Sequence, residues 1–443
     1  VIVIGVLALL VAFSVWGGLP RQNVGAFWLG VGIMVAVLFA FGAAIWHLLV
    51  RPLPAGQAVP SLRAFPASSR QIIAVLLGLG GVSIIVGAFW DEVWHRRYGV
   101  PFGEDFFWRP HLMLYFGFLV VSALGFVSYL TLMRSGQGTL QQRFRSSPVM
   151  GMLIIASGFL LFALAADPLW HSIYGVDITA WSMPHLVIVM CFTSIILLSA
   201  AVHLTNRPVR EWRSLARLEG GDLLPLVMFG ALLTAMLQLL TTEWDGAPAV
   251  LRNALRDRPE WLLPALQVGC AGFVGALANH SLRMVGAASI AGVTAFAARA
   301  LLLWVFGVSS ELPMTFNAWL LCVPVCIGVD LGYAAVSALK RPDIAQPLGA
   351  LVGALGMTVV SLPLFGQYFP AVKITAPLLA FAMIAFASLA ASWAGARLGE
   401  YFASANKQVE AASGRQVALM SLLAFVGMVA FIVFFIGTAT PPV

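Results

Sequence analysis

Along its 443 residues the chain alternates long apolar runs with short polar breaks, and no run shows the period-2 alternation of a membrane-spanning barrel. Thirteen runs approach the length of about 20 residues that a helix needs to cross a bilayer. They fall at 1–19, 24–50, 70–90, 111–133, 148–166, 182–204, 222–242, 260–280, 284–307, 315–339, 346–366, 374–398 and 416–437. Lipid offers backbone N–H and C=O groups no partners, so such runs satisfy themselves as helices. The pattern predicts an all-α, polytopic integral membrane protein of about 13 transmembrane helices. It divides into an N-terminal two-helix segment (1–69), a duplicated hairpin region (70–205) and a C-terminal seven-helix region (206–443).

Composition agrees with the pattern. Hydrophobic residues make up 60% of the chain and charged residues 10%, whereas a soluble domain carries about 25% charged residues. The surface therefore faces lipid, and the net charge of +7 is no sign of a nucleic-acid partner. Basic residues gather in alternate loops, at Arg51, Arg63 and Arg70, then Arg134, Arg143 and Arg145, then Arg207, Arg210, Arg213 and Arg217, then Arg283, Lys340, Arg341 and Lys407. The loops between them carry Asp91, Glu92, Asp167, Asp177, Glu243, Asp245 and Glu311. By the positive-inside rule the basic loops and the N-terminus are cytoplasmic. In a bacterial-type inner or intracytoplasmic membrane the acidic loops then face the periplasm. Trp16, Trp28, Trp94, Trp108, Trp170, Trp181, Trp244 and Trp261 fall near the ends of runs and predict an interfacial belt. Cys191, Cys270, Cys322 and Cys326 lie inside apolar runs and read as packing residues, with no disulfide framework. The opening "VIVIGVLALL" reads as a chain whose beginning is missing, not as a signal peptide.

One stretch is written twice. Residues 91–111 read "DEVWHRRYGVPFGEDFFWRPH" and residues 167–185 read "DPLWHSIYGVDITAWSMPH". Aligned on Asp91 and Asp167, the copies match at Trp94 and Trp170, His95 and His171, and Tyr98 and Tyr174. Counting back from the last residue, His111 matches His185, Pro110 matches Pro184 and Phe107 matches Trp181. A faint third copy places Glu243 and Trp244 before "WLLPAL", where Ala265 stands in place of histidine. The copies run in one direction, unlike the inverted repeats of many transporters.

The spacing has a chemical meaning. An aspartate and a histidine four residues apart share a helix face, and a histidine at the head of the next helix joins them if the hairpin closes. Proline just before that histidine suits a helix start. Two imidazoles and one carboxylate on one side of a cation leave other coordination positions open, an arrangement that suits iron, copper or zinc. The candidate metal ligands are Asp91, His95 and His111 in one copy and Asp167, His171 and His185 in the other. The competing reading is an interfacial hairpin, duplicated without any metal.

With these residues in view, region 70–205 resembles the C subunit of the membrane-bound copper monooxygenases, which oxidise methane, ammonia and short alkanes. That subunit carries an Asp-x-x-x-His followed by a histidine at the next helix start, and one hairpin later a related set with asparagine in place of aspartate. This chain has aspartate in both sets and continues for seven more runs. The resemblance implies copper as the cofactor, with iron and zinc as alternatives, and partners in the form of other membrane subunits, O2 and a small apolar substrate met in the lipid bilayer. It implies oxygen activation and hydroxylation, with Trp94, Trp170, Phe107 and Trp181 walling the sites against water. Arg96, Arg97, Glu104, Asp105, Arg109 and Asp177 read as interfacial salt-bridging groups.

Two other function classes stay open. A transporter or channel would use Asp330, the one carboxylate well inside a run, although a packing role for it is the simpler reading. A non-catalytic scaffold of a respiratory or photosynthetic complex would use the repeat for packing alone. His47, His203 and His280 read as three separate histidines near helix ends, not a haem site, and Gly349 and Gly353 as a helix-packing pair.

Overall fold

The computed structural model describes residues 24–57, 67–98, 107–134, 138–174, 181–204, 211–241, 258–306, 313–337, 376–404 and 430–439, with isolated positions near either terminus. The chain is built of helices: α1 (Val24–Ile45, continued by a π-helical turn Trp46–Val50), α2 (Ala67–Tyr98), α3 (Arg109–Arg134), α4 (Leu140–Ser146), α5 (Pro148–Tyr174) and α6 (Met183–Leu204). There follow α7 (Leu223–Thr241), α8 (Leu262–Leu282), α9 (Ala287–Val305), α10 (Pro313–Ser337) and α11 (Pro377–Ser404). Nine helices among the described residues are long and apolar enough to cross a membrane, so this is an all-helical membrane protein.

The described residues thus hold nine spans against the thirteen that the apolar runs predict. Nine of the thirteen runs coincide with these helices, and the run at 315–339 contributes a shorter apolar stretch, Cys322–Ala335. The run at 346–366, most of 1–19 and half of 416–437 lie outside the described residues, as does the Gly349/Gly353 pair.

Four helices form a ring. α2 packs on α3 and α6, and α5 packs on the same two. Each repeat copy is one hairpin of that ring, α2–α3 or α5–α6, so both copies present their motif at the same end. The close approaches depend on small residues. A Cβ on Gly80 would meet the Gly117 carbonyl oxygen at 3.3 Å, and one on Gly81 would meet Ile196 at 2.6 Å. The second group of helices joins through α7, which packs on α6, α8 and α9, while α8 packs on α11, α9 and α10. α8 and α11 run almost backbone to backbone. Gly395 and Gly399 sit one helical turn apart, and a Cβ on Gly399 would meet the His280 Cβ at 2.6 Å, the close packing that small residues four apart allow within membranes.

The end opposite the motif is tied by polar contacts. β1 (Arg213–Ser214) and β2 (Met284–Val285) form a two-residue parallel pair, the one strand pairing among the described residues. Arg213 Nη2 lies 2.7 Å from Asp222 Oδ2, and both side chains are buried. Asp330 is engaged by four donors. Asn279 Nδ2 and the Gly286 N–H reach Oδ1 at 2.8 Å, while the Ser289 N–H at 2.8 Å and its hydroxyl at 2.5 Å reach Oδ2. A carboxylate facing the otherwise unpaired N–H groups at the start of α9 is a cap supplied from another helix. Gly286 turns there with φ of +104°, a conformation that favours glycine.

Candidate metal centre

Each site is assembled by one hairpin. Asp91 and His95 occupy successive turns near the end of α2, and His111 is the third residue of α3. Asp91 Oδ1 lies 3.0 Å from His111 Nε2 and 3.4 Å from His95 Nε2. In the second hairpin, Asp167 Oδ1 lies 3.4 Å from His185 Nε2 and 3.7 Å from His171 Nε2. Within each trio the ligand atoms lie within 4.8 Å of one another. The structure thus brings together all six residues that the repeat singled out, three to a hairpin.

The local backbone explains the convergence. The Leu112 N–H donates to the Trp108 carbonyl at 2.9 Å, and the equivalent Leu186 N–H donates to the Ser182 carbonyl at 3.0 Å. These bonds open α3 and α6 in the same way, with proline in the first turn where its missing N–H costs nothing. The aspartate consequently faces the positive end of the following helix, which suits an anion. In the first hairpin Gly87 lies one turn before Asp91, and a Cβ there would meet Leu114 N at 3.0 Å and Pro110 O at 3.1 Å. The absent side chain lets α3 come close enough for His111 to reach Asp91.

The donor spacing fits a bound cation. Metal–ligand bonds of about 2.0–2.1 Å at angles between a right angle and about 120° place neighbouring ligand atoms roughly 2.8–3.6 Å apart. The carboxylate–imidazole separations of 3.0–3.7 Å fall in or beside that range. Without an ion, the same contacts set two imidazoles against one carboxylate as a polar clasp on the hairpin.

The surroundings depart from expectation. Phe107 is 73% exposed. Its neighbour Trp108 instead stacks on His95, with ring centroids 5.0 Å apart and an interplanar angle of 29°, and Trp94 meets Trp108 edge-on at 5.7 Å. Trp170 and Tyr174 turn toward α1. Phe27 lies 5.5 Å from Trp170 and 6.1 Å from Tyr174, and the Tyr174 hydroxyl donates to the Ala26 carbonyl. Trp181 is fully buried beneath the Arg258 guanidinium, 3.9 Å from the ring centroid. Trp94, Trp108, Trp170 and Trp181 are buried, because they fill the seams between helices, and Trp28 is exposed. Arg109 lies over the Phe435 ring at 5.1 Å. The side chains of Arg96 and Arg97, and Glu104, Asp105, Asp177, Trp16, Glu243 and Trp244, lie outside the described residues.

The remaining polar candidates are occupied elsewhere. His47 contacts Arg51 at 3.3 Å. His203 Nδ1 accepts from Gln71 at 2.9 Å, and its Nε2 reaches the Gly221 carbonyl at 3.2 Å. His280 Nδ1 lies 3.7 Å from Glu400. These are three separate places, as expected, though His203 and His280 are buried. The four cysteines are buried and free. Among the described residues, no third cluster of His, Cys, Asp or Glu has metal-binding spacing. Sequence reasoning missed Trp108 and Gly87; the one signal for each was its place, three residues before His111 or four before Asp91. No protein-family model, curated protein or solved structure matches this chain.

Proposed function

We propose that this chain is a metal-binding membrane protein that holds copper at two Asp/His/His sites and serves as a subunit of a membrane monooxygenase-like complex. One observation carries the reading: two hairpins that differ in loop length and in most loop residues each gather the same carboxylate and two imidazoles within 4.8 Å. A clasp needed only for packing does not require one donor set to recur. The set of two imidazoles and a carboxylate suits copper, iron or zinc. Copper is preferred through the resemblance of region 70–205 to the copper monooxygenase C subunit.

The residues then divide the work. Asp91 and Asp167 supply one negative charge to each site, and His95, His111, His171 and His185 supply neutral nitrogen donors. Trp108 holds the plane of His95 and keeps water from one side of it. A bound ion with open positions supplies oxygen activation, and the surrounding lipid would deliver a small apolar substrate. The positive-inside pattern of the loops supports a periplasmic position for both sites.

Metal analysis of the purified full-length protein tests the reading. The parent should carry about two copper ions per chain, and Asp91→Ala/His95→Ala and Asp167→Ala/His171→Ala should each carry about one. Equal metal content in all three proteins would refute it. The scaffold reading draws on the clasp geometry and predicts a folded parent with no metal. The transport reading loses its best residue, since Asp330 is engaged by four donors in capping α9.

A further inference from the structure

Four differences separate the two copies. Distances come first: the carboxylate lies 3.0 and 3.4 Å from its imidazoles in the first hairpin, and 3.4 and 3.7 Å in the second. Access to water follows the same order. The side chains of His95 and His111 are 25% and 18% exposed, against 32% and 33% for His171 and His185. The aromatic cover also differs. Trp108 stacks on His95, and Tyr115 lies beside His111 at 5.9 Å, whereas the equivalent positions of the second copy hold Ser182 and Val189. Finally, the position one turn before the aspartate is Gly87 in the first copy and Ala163 in the second. The glycine allows the close helix approach that shortens the first site.

All four act in one direction. Less water around a site strengthens its charge–charge interactions. A ring held by a stacked neighbour loses less freedom when it binds; hydrogen-bonded groups that orient a ligand are worth about 10–100-fold in metal affinity, and the lower end of that range sets the scale for a stack. From these observations we propose that the two sites have different roles: the Asp91/His95/His111 site retains a resident ion, and the Asp167/His171/His185 site takes up and releases ions at the aqueous face. The inference rests on the metal-binding reading above. It makes Trp108 a positioning residue, acting on the ion only through His95. It also assigns exchange with the surroundings to the second hairpin.

A competitive titration decides it. The full-length protein in detergent is stripped with chelator and titrated with cupric ion against a chelator of known affinity, and the release rate is then followed under excess chelator. The parent should bind two ions with dissociation constants at least about tenfold apart. Asp167→Ala/His171→Ala should keep the tight, slowly released ion, and Asp91→Ala/His95→Ala the weak, fast one. Circular dichroism and thermal melting check the fold of each variant, and Asp91→Asn or Asp167→Asn replaces a pair that fails to fold. In the protein lacking the second site, Trp108→Ser should weaken binding about tenfold and Trp108→Phe should restore most of it. Equal affinities, a tighter second site, or a folded Trp108→Ser protein with parental affinity would each overturn the inference while leaving two metal sites standing. A folded parent that binds no ion would instead remove the metal-binding reading itself, and the inference with it.

Discussion

Replacing Gly87 with alanine should loosen the first site without altering any of its three donors. The added Cβ would stand 3.0 Å from Leu114 N, 3.0 Å from Leu114 Cγ and 3.1 Å from Pro110 O. Two of these are backbone atoms and cannot swing aside. Non-bonded carbon contacts settle near about 3.5 Å, so α2 and α3 must part by roughly half an ångström. That movement carries His111 from 3.0 Å to roughly 3.5 Å from Asp91, about the spacing already present between His185 and Asp167. Overpacking of this kind costs about 1–3 kcal/mol, and the better helix propensity of alanine returns about 0.5–1 kcal/mol. The variant should therefore fold, with a slightly lower melting temperature. Its copper affinity, measured in the Asp167→Ala/His171→Ala background, should fall by about tenfold, equivalent to about 1.4 kcal/mol. A Gly87→Ala protein with parental affinity would refute the claim that helix approach sets the site, whatever its melting temperature.

Other expectations follow from the same structure. Asp330→Ala leaves the buried Asn279 amide without its acceptor, at about 1–3 kcal/mol, and removes the partner of the half-buried Gly286 and Ser289 donors at a smaller cost. It should lower the thermal midpoint clearly, and an unchanged midpoint would return Asp330 to the list of functional residues. Gly395→Leu drives a side chain into the Phe273 carbonyl, where α8 and α11 run closest. The strain should exceed the usual overpacking cost of about 1–3 kcal/mol and abolish a cooperative melt; a parental melt would mean that the two helices pack otherwise. Tyr174→Phe removes the hydrogen bond to Ala26, worth about 0.5–1.5 kcal/mol. Faster hydrogen exchange in α1 should report the loss, and exchange at the parental rate would show that the bond contributes nothing.

The helices were readable because lipid leaves an apolar run of twenty residues little choice of structure. The trios were readable because i,i+4 spacing and a following helix start restrict where side chains point. What surrounds the trios was not. Whether Phe107 or Trp108 covers His95 depends on the rotation of α3 about its axis, which a one-residue difference in sequence does not reveal. Counting back from the closing histidine favoured Phe107, which turned out exposed. Asp330 was seen as an isolated intramembrane charge because its partners, Asn279, Gly286 and Ser289, are more than forty positions away. The tryptophans looked interfacial by position, yet Trp181 is covered by Arg258, a neighbour 77 positions distant. Local chemistry was visible in the letters; contacts between distant segments required the fold.

The repeated Trp and Tyr have a different consequence from the one their place beside the histidines implies. Trp170 and Tyr174 hold Phe27 and Ala26 of α1. On the other hairpin, Trp94 leans on Trp90, whose ring stacks on Phe306 and meets Phe435 edge-on. The repeated tryptophan thus meets α1 directly on one hairpin, whereas on the other it reaches Phe306 and Phe435 only through Trp90, where the second copy has Ala166. Each hairpin has its own flank, so damage to α1 would reach Asp167 and its histidines first and leave Asp91 and its histidines shielded.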